Sequence, residues 1–322
     1  MKHEHSKTLY KETKTNKKLN YFNDDTTVFI NGKFLKAKDA SCSIYAQTVH
    51  YGYAVFEGIR AYLTPEGTQM FKGKEHYERL KRSCELVNLP LSYSVDELVA
   101  ATYELLKQNN LKEAYIRPLI YAADPNMSLK APDKSDVFIC AWAWDKYLGD
   151  KTLRLTISSF QRPNPNSLSM QAKCSGQYVN SIVASTEAKQ KGFDEALLLD
   201  LNGNIAEGPG ANFFLEKNGT LYTPPTGNIL NGITRKTVIE LAAALNIPLK
   251  EQHIKPVDLK GAEGAFYTGT AAEVVGIESV DDVKFSKPFP ETLGAKIAKE
   301  YSDLVVGKSK VMSLNYDKVL QK

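Results

Sequence analysis

His50-Tyr51-Gly52-Tyr53-Ala54-Val55-Phe56-Glu57-Gly58-Ile59-Arg60-Ala61-Tyr62 alternates aromatic and aliphatic residues around glycine breaks. Such alternation predicts a half-buried strand, because successive side chains on a pleated backbone point to opposite faces. The expected strand covers residues 53–62, and residues 28–36 upstream read as two short strands around Asn31-Gly32. An Asn-Gly pair accepts the positive φ angles that a tight hairpin needs. Downstream, Tyr77, Leu80, Cys84 and Val87 recur at helical spacing and predict a helix over residues 74–88. Ser94-Val95-Asp96-Glu97 has capping-box spacing and opens a second helix through Lys107, with Leu98, Thr102, Leu105 and Leu106 facing inward. Strands are expected at 114–122 and 137–143.

The second half repeats the mixture. A strand at 153–159, a helix over 178–191 stopped by Gly192, and strands within 196–214 are followed by a helix over 234–245, a strand at 265–268 and a last helix over 291–301. Asn202-Gly203 and Asn218-Gly219 mark its turns. Hairpins alternating with helices predict a mixed, largely antiparallel α+β architecture over a doubly wound sheet. The expected layout is a tail (1–27), a small α/β domain (28–140), a linker (141–151), a large domain (152–306) and a second tail (307–322).

With 322 residues, 43% apolar and 24% charged, the chain has the composition of an ordinary globular protein of two modest domains. Much of its +4 charge sits in a polar tail, where Lys2, Lys7, Lys11, Lys14, Lys17 and Lys18 face only Glu4 and Glu12, so no nucleic-acid surface is expected. That tail has neither the apolar run of a secretory signal nor the arginines of a transit peptide, and no stretch approaches the ~20 apolar residues of a membrane span. Cys42, Cys84, Cys140 and Cys174 lack CxxC spacing and read as reduced thiols of a cytoplasmic protein. No metal site is expected beyond adventitious binding at His3 and His5. Lysine carries most of the 41 basic residues, so Arg60, Arg79 and Arg117, in or beside apolar patterns, are expected to be held by oxyanions.

Four further segments follow the opening stretch: Met170-Gln171-Ala172-Lys173 with Tyr178-Val179-Asn180-Ser181, then Ala206-Glu207-Gly208-Pro209-Gly210-Ala211-Asn212-Phe213-Phe214, Leu230-Asn231-Gly232-Ile233-Thr234-Arg235, and Thr268-Gly269-Thr270-Ala271-Ala272-Glu273. In this order, over about residues 28–305, they resemble the branched-chain amino acid aminotransferases, the L-specific members of the fold type IV pyridoxal-phosphate enzymes. The resemblance implies two domains, a smaller N-terminal α/β sandwich and a larger C-terminal pseudo-barrel. It also implies pyridoxal 5'-phosphate as cofactor, which needs a lysine, an acid for the pyridine nitrogen and an anion cradle.

Lys173 stands alone in an uncharged run from Asn164 to Ser181. By composition it reads as a solvated loop lysine; by resemblance it is the catalytic lysine that holds the cofactor. Glu207, otherwise a turn carboxylate, would partner the pyridine nitrogen, and Tyr178, otherwise an ordinary helix-face aromatic, its phenolic oxygen. Gly232-Ile233-Thr234 enters a helix, where unpaired N–H groups favour an anion, and Thr234 also reads as a simple N-cap. The resemblance adds Ile233, Arg79 and Thr270 as phosphate ligands, with Arg79 pairing to Glu75 or Glu78 as the alternative.

For the substrate, the resemblance assigns Tyr115, Thr270 and Ala271 to the α-carboxylate and Arg117 to the distal carboxylate of glutamate. Phe56, Trp144, Tyr147, Leu129 and Tyr51 would wall the pocket, although any of the aromatics also reads as plain core. Tyr51 and the loop Asp124-Pro125-Asn126-Met127-Ser128-Leu129 would reach a neighbour's pocket, implying a homodimer with a shared site, or a higher oligomer. Two departures stand out: Ala211 replaces a glutamate common in this family, and Cys174-Ser175-Gly176-Gln177 replaces small residues and asparagine, with Cys174 a candidate for oxidation. The implied reaction moves the amino group of L-leucine, L-isoleucine or L-valine to 2-oxoglutarate. A D-amino acid aminotransferase or a 4-amino-4-deoxychorismate lyase would keep Lys173 and Glu207 but typically lacks the strand through Arg60 and the Tyr115-Ile116-Arg117 pair. A non-catalytic binder of the cofactor is the rival of another class.

Overall fold

The computed structural model describes residues 21–144 and 151–313. The lysine-rich start with His3 and His5, Tyr147 with most of the expected linker, and residues 314–322 lie outside the described residues. The first part runs β1 (Thr27–Ile30), β2 (Lys33–Lys36), α1 (Gln47–Tyr51), β3 (Ala54–Phe56), β4 (Ile59–Thr64), β5 (Gly67–Met70), α2 (Gly73–Leu86), α3 (Val95–Gln108), β6 (Ala114–Tyr121) and β7 (Asp136–Trp142). Its sheet has the order β2-β1-β7-β6-β4-β5, with β3 also on β6. Every ladder in it is antiparallel.

The expected single strand over 53–62 is two strands. Both pair with β6 in one continuous register, Phe56 opposite Leu119 and Ile59 opposite Ile116, so that Glu57 and Gly58 fall opposite Pro118 and Arg117. Proline has no N–H to return to the ladder, and what survives there is the Glu57 N–H donating to the Pro118 carbonyl at 3.0 Å. Tyr51 is not on the strand; it ends the short helix α1, which Gly52 closes at φ +63°.

Helices α2 and α3 bring Tyr77, Leu80, Cys84, Leu98, Leu105 and Leu106 into one core with Val55, Ile59, Ile116 and Ile139 of the sheet. Apolar positions three and four apart form a single stripe on each helix, and burying it stabilises the layer pair. The capping box starts α3 as expected: Ser94 N–H donates to Glu97 Oε2 at 2.8 Å, and Ser94 Oγ accepts from Glu97 N–H at 3.3 Å. Such a cap contributes about 1 kcal/mol.

The second part runs β8 (Leu153–Ile157), α4 (Tyr178–Gln190), β9 (Glu195–Leu199), β10 (Ile205–Glu207), β11 (Asn212–Lys217), β12 (Thr220–Thr223), α5 (Ile233–Ala244), β13 (Leu249–Glu251), β14 (Gly264–Gly269), β15 (Glu273–Val280), β16 (Val283–Lys284) and α6 (Leu293–Val305). The main strand path is β10-β9-β8-β15-β14-β11-β12-β13. Ladders β8–β9, β8–β15 and β12–β13 are parallel and the rest antiparallel. Adjacent residues Phe213 and Phe214 face opposite cores, the first with Leu215, Tyr267 and Ile277 and the second with Val238, Leu241 and Ile297 under α5 and α6. Helix α6 begins at Leu293, two residues later than expected, because Thr292 Oγ1 caps it by accepting from Ala295 N–H at 3.2 Å.

The segment between β8 and α4 returns to the first sheet. Phe56 N–H donates to the Lys173 carbonyl at 3.0 Å, Lys173 N–H donates to Ser83 Oγ at 3.0 Å, and Cys174 bridges to Val55. A side chain on Gly52 would meet Gly176 Cα at 2.9 Å, so this close approach of the backbones needs glycine at position 52. Lys173 is thereby clamped between β3 and α2. No helix among the described residues is long and apolar enough to cross a membrane.

Candidate active site

The clamp aims the Lys173 side chain into a cavity between the two sheets. Its walls include Arg79, Lys173, Tyr178, Glu207, Ile233, Thr234 and Thr270, all the residues expected to hold a cofactor. Lys173 Nζ lies 2.6 Å from the Tyr178 hydroxyl and 4.9 Å from the centre of the Phe56 ring. The Phe56 and Tyr178 rings meet edge to face at 4.7 Å. Tyr178 opens α4, where the helix start turns its ring back over the lysine.

At one end of the cavity, Glu207 closes β10 opposite Asn212. Its carboxylate is buried and held by three donors: Arg162 NH2 lies 3.1 Å from Oε1, Asn212 Nδ2 donates to Oε2 at 3.0 Å, and Leu230 N–H donates at 3.2 Å. Burial pushes this carboxyl above its ordinary value against the pull of Arg162 and the Leu230 N–H. Arg162 escaped the sequence reading although the signal was present. It and Lys173 are the only charged residues between 155 and 186.

At the other end, α5 starts under Arg79. The N-cap is Gly232, extended at φ −66° with no side-chain cap, so Thr234 is not the cap and lies inside the first turn. The first N–H groups of such a helix have no helical acceptor and present a partial positive charge. Gly232 is pressed on Asn212, where a Cβ would come within 2.0 Å of Oδ1, and Asn212 Nδ2 also donates to the Leu230 carbonyl at 2.9 Å. The residue that steadies Glu207 thus sets the entry into α5. Arg79 pairs with neither Glu75 nor Glu78: its Nε and NH2 donate to Glu57 at 2.6 and 2.9 Å, and NH1 donates to the Asn231 carbonyl at 3.1 Å. Those helix glutamates point away because Arg79 sits on the buried face of α2.

The substrate candidates gather on the far side of Phe56. The Arg117 guanidinium lies 4.7 Å over the Phe56 ring, and its NH2 donates to the Tyr115 hydroxyl at 3.3 Å. Tyr115 packs on Trp144 with centres 5.0 Å apart, and Gly58 leaves room for its hydroxyl, which would stand 1.9 Å from a Cβ there. Thr270 and Ala271 form the turn between β14 and β15. Tyr51 and Leu129 do not line the cavity: the Tyr51 hydroxyl donates to the Met127 carbonyl at 3.0 Å, and Leu129 is 87% exposed.

Of the three arginines expected to meet oxyanions, Arg79 is gripped by Glu57, and Arg60 forms a longer ion pair with Glu273 at 3.8 Å while lying over the Tyr62 ring; no carboxylate among the described residues pairs with Arg117. The expected oxidation at Cys174 does not fit its setting: the thiol is buried, and burial pushes it above its ordinary value, away from the reactive thiolate.

A family model described as amino-transferase class IV matches residues 54–280. The branched-chain-amino-acid aminotransferase of Pseudomonas aeruginosa is 41% identical over 290 residues, covering 88% of this chain and 94% of the relative. Among solved structures, the branched-chain aminotransferase of the thermophilic archaeon Thermoproteus uzoniensis with norvaline superposes with a TM-score of 0.85 at 37% identity, over 88% of this chain and 96% of that one. A second branched-chain amino acid aminotransferase, from T.th., complexed with N-(5'-phosphopyridoxyl)-L-glutamate, gives 0.84 at 33% identity, over 89% and 96%. The same protein has also been solved with 4-methylvaleric acid.

Proposed function

The chain belongs to the class IV aminotransferases, among the branched-chain-amino-acid aminotransferases, and from that premise we propose that it moves the amino group of L-leucine, L-isoleucine or L-valine to 2-oxoglutarate, with pyridoxal 5'-phosphate as cofactor. The observation that carries the proposal is one cavity holding an amine at its centre, an Arg162-bound carboxylate at one end and an arginine with an open helix start at the other. Those groups fit an aldehyde-bearing pyridine ring with a phosphate arm. Thr268 fits it as well, since its Oγ1 is buried in the cavity wall with no hydrogen-bond partner.

When bound, pyridoxal phosphate supplies the carbonyl that takes up the amino group and a ring that withdraws electrons from the substrate α-carbon. The chain supplies the rest. Lys173 Nζ, held by Tyr178, moves the proton on and off the α-carbon as general base and acid. Glu207, kept beside Arg162, holds a proton at the ring nitrogen. Arg79, Ile233, Thr234 and Thr270 bind the phosphate. Tyr115, Thr270 and Ala271 orient the substrate α-carboxylate. Phe56, Trp144 and Tyr147 give leucine an apolar wall, while Arg117, which no carboxylate of its own chain occupies among the described residues, meets the distal carboxylate of glutamate. The solved relative that takes both a glutamate derivative and 4-methylvaleric acid supports such a dual pocket.

The enzyme is further proposed to be a homodimer, with Tyr51 and Leu129 completing the partner's pocket, and to work in the cytoplasm, in keeping with four unpaired cysteines. The test is a panel of L- and D-amino acids with 2-oxoglutarate, read by product formation and by the visible spectrum of the holoenzyme. L-leucine, L-isoleucine and L-valine should lead the panel; turnover of D-amino acids alone overturns the stereochemical assignment, and a yellow protein whose colour no amino acid changes overturns catalysis.

A further inference from the structure

We propose that Glu57 and His76 are positioning residues that fix the Arg79 guanidinium at the anion end of the cavity. The inference rests on the reading that this end takes the cofactor phosphate. Residues 55, 57 and 59 share one face of the β3–β4 run, and Val55 and Ile59 belong to the apolar core with Tyr77 and Leu80. A carboxylate at Glu57, with no exposure to solvent, is therefore out of keeping with its neighbours.

It is not left unpaired. His76 and Arg79 stand three apart on the same face of α2 and converge on it. Arg79 Nε and NH2 reach its two oxygens at 2.6 and 2.9 Å, His76 Nδ1 lies 2.8 Å from Oε2, and Gly58 N–H donates to Oε2 at 3.2 Å. Burial lowers His76 below its ordinary value, which favours a neutral ring donating Nδ1–H to the carboxylate, and Arg79 is the larger opposing charge.

A bidentate grip on the Nε edge removes the guanidinium's freedom to rotate or swing. Only the NH1 side remains, and it faces the Asn231 carbonyl just before Gly232, where the cavity wall and α5 begin. Well-packed apolar side chains would stabilise this core at least as well as a buried ion pair does. What the carboxylate and imidazole add is direction: the pair is electrically neutral overall, so Arg79 attracts an anion only through the edge that Glu57 leaves open. His76 touches neither cavity nor ligand and acts wholly through Glu57.

The experiment compares two probes on the full-length protein stripped of cofactor, pyridoxal 5'-phosphate and pyridoxal. Their affinity ratio isolates the phosphate cradle, while pyridoxal binding alone reports an intact fold and lysine. Glu57→Gln should lower the ratio about tenfold, the scale of one charge-assisted hydrogen bond, with pyridoxal affinity within about twofold of the parent. His76→Leu should lower it several-fold. His76→Asn, whose amide nitrogen can stand where Nδ1 does, should restore it. If Glu57→Gln does not fold, the His76 pair decides alone. A ratio lowered by Arg79→Gln but untouched by Glu57→Gln and His76→Leu overturns the positioning role and leaves the phosphate reading intact. A ratio untouched by Arg79→Gln overturns the phosphate reading itself. Equal losses for both probes in Glu57→Gln and His76→Leu mean a merely structural pair and also overturn the proposal.

Discussion

On the cavity side of Lys173, the buried charges meet their opposites within one chain: Glu207 has Arg162, and Arg79 has Glu57. On the Phe56 side they do not. Among the described residues no carboxylate pairs with Arg117, Tyr51 is half exposed, and Met127 and Leu129 present apolar side chains to solvent. A buried charge without its opposite is costly, and a protein tolerates it where a ligand or another surface supplies the partner. The difference separates a cradle for a resident group, built to hold one shape permanently, from a pocket finished only by whatever enters or adjoins it. Breaking one side should therefore look unlike breaking the other.

The largest effect belongs to the residue between the two sides. Lys173→Ala should lower turnover by at least about ten-thousandfold, since no other lysine among the described residues lines the cavity to carry the proton, while the fold survives. Single-turnover spectra and circular dichroism check both halves of this expectation. Turnover near the parent's would mean that the cavity is not where the chemistry occurs.

Glu207→Gln comes next, with turnover down about a hundredfold and cofactor retention changed far less. Glutamine keeps a carbonyl for the Leu230 and Asn212 donors but cannot carry the charge that Arg162 faces. Equal losses of turnover and retention, measured by kcat and by cofactor dissociation, would make Glu207 a scaffold residue. They would also weaken the picture of a cradle whose two ends have separate tasks.

The cradle was more legible in sequence than the pairs that steady it. Lys173 shows itself because the chain around it is uncharged, and the same run exposes Arg162. Glu57 gives no such sign: its alliance with Arg79 spans 22 positions, from a strand break to the buried face of a helix, and only the packing of α2 on β3 brings them together. Local spacing instead offered Glu75 and Glu78, the neighbours a helix surface would supply. The break itself depends on Pro118 across the ladder, which no pattern within residues 53–62 records. Strand β15 went unseen because both its faces are largely covered, so polar and apolar positions do not alternate. The hairpin at Asn31-Gly32 and the cap at Ser94 were readable because a turn and a cap are decided by a few adjacent residues.

Arg117→Met tests the open side. Methionine keeps the apolar contact with Phe56 but offers a carboxylate nothing, so the glutamate half-reaction should slow by roughly thirtyfold, the worth of a charged hydrogen bond, and the leucine half-reaction by a few-fold at most. The two half-reactions are measured separately in single-turnover experiments. Parallel losses would place Arg117 among the residues that merely hold Tyr115.

The smallest departure from the parent, about fourfold, is expected of a mixture of two inactive variants, and it is the most diagnostic of where the open side ends. Tyr51, with its hydroxyl on the Met127 carbonyl, and Leu129 sit outside the cavity of their own chain, as groups that serve a neighbour would. In the proposed homodimer a two-fold arrangement would bring each chain's patch to the other's pocket, and burying Met127 and Leu129 there would stabilise the contact. Lys173→Ala and Tyr51→Ala should each be inactive, one lacking the amine in every pocket and the other lacking the wall. Mixed in equal amounts and allowed to exchange, half of the dimers contain one of each, and only the pocket with an intact lysine and an intact partner tyrosine works. Activity should return to about a quarter of the parent's. Light scattering sets the mass, and a differential tag verifies the exchange. An active monomer, or verified exchange between two inactive variants without recovery, would mean that the open side is closed by substrate alone.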